Sequence, residues 1–152
     1  MKTRIWLLSA LLLFAFSFIA CKKEKPKTDA VKLTGNGSGE QVVPKVVTSG
    51  TATLLGDYSG RLHGLVTFTI SFKDLTGPYT TITVNGPAKP GANAPELFPT
   101  TGGPSPTAFG DVEGYFTIDS VQEKQLLSGE WYYLIRTEAH PNGEVRGQIL
   151  KR

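Results

Sequence analysis

The chain holds one cysteine, one methionine and two histidines among 152 residues. A single cysteine excludes an internal disulfide, and so few thiols and imidazoles exclude the Cys- and His-rich clusters of structural zinc sites. No apolar run reaches the roughly 20 residues that a membrane-spanning helix needs. The longest is Trp6 to Ala20, fifteen residues with no charge and only Ser9 and Ser17 polar. Charged residues make up 19% of the chain. They form no basic stripe interleaved with aromatics, so a nucleic-acid partner is not expected. From Leu33 onward no stretch repeats at helical spacing.

What is present begins at the N-terminus. Lys2 and Arg4 precede the short apolar run, which has the length and flank charge of a secretory signal. Phe18-Ile19-Ala20-Cys21 follows, a small residue directly before the lone cysteine. It resembles the bacterial lipobox, with Phe18 where leucine is usual. The resemblance implies cleavage before Cys21, lipidation of Cys21, and residues 1–20 as a signal peptide. A free thiol outside the cell needs an explanation, and thioether-linked lipid supplies one. Stable anchoring takes more than one acyl chain, each contributing about 0.8 kcal/mol per buried CH₂. The expected partner of Cys21 is therefore a membrane, the expected location the bacterial cell envelope. Lys22, rather than Asp, after the cysteine points to the outer membrane. Loss of Lys2 and Arg4 lowers the net charge from +3 to +1 and leaves 132 residues, enough for one domain.

Residues 21–32 read as a tether. Lys22 to Lys32 contains five lysines and a proline and almost nothing apolar, so it cannot build a core. Its reach is at most ~35–40 Å extended, and nearer ~18 Å as a flexible coil. Residues 33–152 form the expected domain. Val66, Phe68, Ile70 and Phe72 alternate with polar residues, the pattern of a half-buried strand. Thr51–Leu55, Thr80–Val84, Val112–Ile118, Trp131–Thr137 and Glu144–Leu150 are further strands. Val121–Leu127 is a short helical turn capped by Asp119 or Ser120. Gly86–Pro106, rich in proline, reads as a long irregular loop. Short strands with frequent turns predict a single-domain, all-β, antiparallel sandwich or barrel.

The last two strands fix their own register. Val145 and Ile149 share one face of their strand, as do Trp131, Tyr133 and Ile135 of the partner. A one-residue slip would put the two sets on opposite sides of the sheet. Ile135 is therefore expected opposite Val145, Tyr133 opposite Gly147 and Trp131 opposite Ile149, with Tyr133 covering a strand glycine. Thr137 then meets Gly143, Glu138–Asn142 forms the loop, and Arg136 faces Glu144 as an exposed pair contributing ~0.2–1 kcal/mol.

The segment Leu127 to Tyr133, followed by Arg136-Thr137-Glu138-Ala139-His140-Pro141-Asn142-Gly143-Glu144-Val145-Arg146-Gly147-Gln148-Ile149, resembles the closing signature of the CHRD (chordin-type) domain. Gly129, Gly143, Glu144, Arg146, Gly147 and Gln148 are its signature residues here, with a structural role expected. Leu33-Thr34-Gly35 with Gly39 to Pro44 and Gly50-Thr51-Ala52 resembles the family's opening. Asn85-Gly86-Pro87-Ala88 with Pro90-Gly91 and Asn93 resembles its central loop. The resemblance implies an Ig-like, Greek-key β-sandwich, distantly similar to Cu/Zn superoxide dismutases. Many members carry His-x-His before the Gly-Pro-Ala and a His where the closing strand ends. Here those positions read Thr83, Val84, Asn85 and Arg136, so no metal or other cofactor is expected.

The remaining candidates are sparse. His63, out of phase with its strand, and His140, beside Pro141, are expected at the surface. No Ser-His-Asp order and no carboxylate pair at a glycosidase separation can be picked out, so no catalytic residue is assigned. Glu144 and Arg146 are candidates for a ligand, with structural pairing the expected role. The resulting expectation is a non-enzymatic binding or interaction module whose partner is an envelope protein or a glycan. Two alternatives stand beside it. One is a metal-dependent or hydrolytic envelope enzyme; the other is a glycan binder using Trp131, Tyr132 or Tyr79.

Overall fold

The computed structural model describes residues 30–100 and 107–152; the expected signal segment, Cys21 and most of the expected tether lie outside them. Eight strands are described: β1 (Val31–Ser38), β2 (Thr51–Ser59), β3 (Leu65–Lys73), β4 (Tyr79–Asn85), β5 (Glu96–Pro99), β6 (Gly110–Thr117), β7 (Trp131–Thr137) and β8 (Val145–Lys151). One helix, α1 (Ser120–Leu127), joins β6 to β7. No described helix is long and apolar enough to cross a membrane.

All strands belong to one antiparallel sheet in the order β5-β4-β7-β8-β1-β2-β3-β6. The sheet curls until its two edges nearly meet. Phe98 of β5 stacks on Phe116 of β6 with ring centroids 4.4 Å apart and planes 2° from parallel. Trp131 backs both rings at 5.9 and 6.0 Å. Side chains thus close the gap that backbone hydrogen bonds leave open, which blunts two edges that would otherwise invite strand pairing.

Alternation decides what lines the interior. Val66, Phe68, Ile70 and Phe72 of β3 are all buried. Val112 of β6 is buried on the same side, while the intervening Tyr115 is exposed. Phe68 sits between Gly56 and Gly114 in register, and its ring occupies the space a side chain at Gly114 would need. On α1, Asp119 accepts from Val121 N and Gln122 N at 2.8 Å, and Gln122 Oε1 accepts from Asp119 N at 3.1 Å. This capping box starts the helix and turns Leu126 into the core.

The β7–β8 ladder has the expected register: Ile135 opposite Val145, Tyr133 opposite Gly147, Trp131 opposite Ile149. The Tyr133 ring lies over Gly147 and reaches across to Gly35 and Gly37 of β1. Its hydroxyl lies 3.2 Å from Gly35 O and 3.0 Å from Ala52 O.

Four expectations need correction. First, the Gly86–Pro106 segment is not irregular throughout, because β5 lies within it and pairs with β4. Its four residues, the last of them Pro99, are too few to show a period. Second, β1 begins at Val31, so Val31 and Lys32 belong to the sheet rather than the tether; Lys32 Nζ pairs with Asp57 at 2.7 Å. Third, β8 begins at Val145, not Glu144, and Thr137 exchanges backbone hydrogen bonds with His140 instead of meeting Gly143. The fourth correction is the Arg136–Glu144 pair. Glu144 is fully buried among threonines, and Arg136 Nη1 donates to Thr83 Oγ1 at 3.0 Å.

Candidate functional site

The second face of β7 and β8 carries Tyr132, Leu134, Arg146 and Gln148, cross-strand neighbours in register. On a solvated sheet this face would be wet. Here a strap from Gly39 to Val46 and the segment from Ala88 to Ala94 cover it, burying Val42, Ala88, Tyr132 and Leu134 as a small second core. The strap folds on the Gly39 carbonyl, which accepts from Val42 N at 3.1 Å and Val46 N at 3.0 Å. Asn93 Nδ2 holds it from the other side through Val43 O at 2.9 Å.

Between strap and loop lies a cavity of about 390 Å³ lined by Glu40 to Lys45, Pro90, Gly91, Arg146 and Gln148. Val42, Arg146 and Gln148 are its buried floor; Glu40, Pro44, Lys45, Pro90 and Gly91 are its exposed rim. Gln148 is fully engaged: Nε2 donates to Ala88 O at 2.8 Å and Gly129 O at 2.7 Å. Gly129 adopts φ +71°, and Gly143 adopts φ +126° against the Leu134 side chain. Both glycines serve the backbone, and Gly147 makes room for Tyr133.

Arg146 is different. It is 1% exposed, and its Cζ lies 3.6 Å above the Tyr132 ring. That ring is pinned by its hydroxyl, which bonds the backbone N and O of Ala94 at 3.0 and 3.1 Å. Nη2 has only two long contacts, to Lys89 O and Gln148 Oε1, both at 3.4 Å. Nη1 is buried with no hydrogen-bond partner. Burial pushes the guanidinium below its ordinary value, but an arginine stays charged regardless. Cation–π contact returns part of the solvation lost, up to about 2 kcal/mol when desolvated. A buried unpaired donor still costs about 1–3 kcal/mol, and more when charged. The rim offers no remedy, since Glu40 is already paired with Lys45 at 2.9 Å.

Glu144, two residues away, faces elsewhere. Its Oε1 accepts from Thr48 Oγ1 at 2.7 Å and Thr76 N at 2.8 Å; its Oε2 accepts from Thr76 Oγ1 and Thr137 Oγ1, both at 2.7 Å. This carboxylate is satisfied and enclosed, a structural knot rather than a reacting group.

The positions where histidines are implied do meet. Arg136 donates to Thr83, and Thr83 Oγ1 donates to Asn85 Oδ1 at 2.7 Å. A hydroxyl, an amide and a guanidinium cation offer copper or zinc no imidazole or thiolate, and the cation repels a metal ion. The residues present do not fit a metal. His63 is exposed in the β2–β3 turn and His140 lies in the β7–β8 turn. Among the described residues no three of His, Cys, Asp or Glu converge. Elemental analysis after exposure to copper or zinc should find well under one equivalent bound. A full equivalent lost on His63→Ala or His140→Ala would restore a metal centre.

The aromatics considered for glycan stacking are all buried: Trp131, Tyr132 and Tyr79. An exposed ring, Tyr115, borders a broad depression of about 990 Å³ on the outer face of β1, β2, β3 and β6. The buried Asp57 Oδ1 in that depression is met by Lys32.

Sequence reasoning weighed Arg146 as a pairing residue and missed that it is buried without an acid. The signal was parity. Arg146 shares its face with Tyr132 and Leu134, and a face with two large apolar residues is a covered one.

The fold and site are those of an all-β domain whose closing hairpin floors a small cavity. A family model, the CHRD domain, matches residues 33–149. The chain belongs to the CHRD domain family. No curated protein and no solved structure matches it.

Proposed function

We propose that this chain is a lipid-anchored, non-catalytic binding module of the bacterial envelope, with its ligand site in the cavity floored by Arg146. The observation that carries the site is the buried Nη1 with no partner. Folding that leaves a charged donor unsatisfied is costly, and a ligand acceptor would offset that cost. Membership of the CHRD family supports a β-fold interaction module. The absence of a catalytic constellation in the sequence supports a binding role. Within this reading the curled sheet is an Ig-like, Greek-key sandwich. Its support is that β3 to β4 and β6 to β7 each pass between non-adjacent strands, with Phe72 packed edge-on to Tyr79 at 5.3 Å across the interior.

Display on a membrane, with the outer membrane as its place, rests on Cys21. Replacing Cys21 by Ser is expected to move the protein from the membrane fraction to the soluble one; processed protein that stays membrane-bound would end the lipoprotein reading. The binding site is tested separately, with a photo-crosslinking amino acid in place of rim residue Lys45. Irradiating intact cells should add mass to the protein from this position and not from Glu113 on β6. No adduct, or the same adducts from both positions, would remove the cavity as the site.

A further inference from the structure

Resting on that site reading, we infer that the cavity takes the carboxylate of a small, partly apolar acid, held by the guanidinium of Arg146 on its floor. Charge sets the class of ligand. Glu40 and Lys45 neutralise each other on the rim, so the one uncompensated charge is that of Arg146, which no ion pair joins among the described residues. A monoanion matches it. A phosphate dianion would bring a second negative charge to a rim that carries Glu40 and to a floor with one free nitrogen. Guanidinium and carboxylate are also geometrically suited, planar group to planar group. The walls set the rest: Val42, Val43, Pro44 and Pro90 present apolar surface. About 390 Å³ lies at the small end of ligand pockets.

Preorganisation favours the same conclusion. Tyr132 holds the guanidinium from beneath, and the loop backbone at Ala94 holds Tyr132. The donor therefore loses little freedom when an acceptor arrives. Entry falls to the strap's exposed tip, Pro44 and Lys45. The strap is held there by Asn93 through Val43 O and by its own bonds to Gly39 O. Two sources share this chemistry, a free carboxylic acid and the terminal carboxylate of a peptide.

The test titrates the full chain, isotope-labelled in detergent, with four probes: isovalerate, N-acetyl-alanyl-alanine, isovaleramide and inorganic phosphate. Amide resonances of Val43, Lys45 and Gly91 report the cavity, and the Arg146 Nε–H resonance reports the floor. Either acid should shift both sets, and the tighter of the two names the source. Isovaleramide should bind at least about tenfold more weakly than isovalerate, a difference of roughly 1.4 kcal/mol. Arg146→Met should weaken the acids by a similar factor; the wild-type shifts locate the site even if that variant folds poorly. Equal binding of acid and amide, or shifts with phosphate alone, would overturn the carboxylate assignment and leave the cavity as a site. Shifts with none of the four would overturn it as well. The Lys45 crosslink decides the site reading independently.

Discussion

Replacing Trp131 by alanine should cost about 3–5 kcal/mol, the usual penalty for truncating a fully buried aromatic. Against a total stability of roughly 5–15 kcal/mol, that change unfolds a large share of the molecules or all of them. Trp131 is completely buried and pairs with Ile149 in the β7–β8 ladder. It also supports the Phe98–Phe116 stack where β5 and β6 approach, so its loss loosens the closure of the sheet as well as the core. Its Nε1 donates to Gln125 Oε1 at 3.3 Å, which ties α1 to the same place. Arg136→Ala is the comparison. Arg136 is half-buried and gives up one hydrogen bond, to Thr83, for about 1 kcal/mol. Urea denaturation of both variants measures the contrast. Equal losses would mean that closure does not depend on the Trp131 ring.

The burial of Trp131 was legible in the sequence because it depends on parity alone. Alternation in Trp131–Ile135 and in Val145–Ile149 admits one pairing that buries both apolar sets, and the ladder has that pairing. The same logic located β3 and β6. It could not locate β5, whose four residues show no period and which forms by docking on β4. Closure by Phe98 on Phe116 was equally out of reach, since two edge strands meet only after the whole sheet has curled. Arg146 lay between these cases. Its face could be read from Tyr132 and Leu134, but the strap that covers it lies about 100 residues earlier in the chain. Glu144 was misread for a related reason. Opposite charge across a strand suggests Arg136, whereas the partners that win are neutral hydroxyls from distant turns, Thr48 and Thr76.

Those hydroxyls make Glu144 the second keystone. Glu144→Ala should destabilise by on the order of 3–5 kcal/mol. Hydrogen bonds to a charged group contribute about 1.5–3 kcal/mol each without adding fully, and Thr76 N–H is left without its acceptor. The loss reaches three turns together, because Thr48 precedes β2, Thr76 lies between β3 and β4, and Thr137 ends β7. Glu144→Gln keeps the shape. One carboxamide oxygen can still accept from Thr48 and Thr76 N, and the threonine hydroxyls can turn to accept from its NH₂, so about 1–2 kcal/mol is expected. The two substitutions also differ from wild type in pH response. Burial alone would raise the Glu144 pKa, but the hydrogen bonds from Thr137, Thr48 and Thr76 outweigh it and hold the carboxyl below its ordinary 4.5. With the folded pKa below the unfolded one, the unfolded chain takes up the proton first on acidification. Glu144's contribution is therefore complete above about pH 4.5 and disappears as pH falls through the folded value. Denaturation midpoints measured from pH 7 down to about pH 3 should fall more steeply for wild type than for Glu144→Gln, so the two curves converge in acid. Other carboxylates titrate in both proteins and cancel in the difference. Parallel curves would show that Glu144 is not held as an anion by its threonine cage.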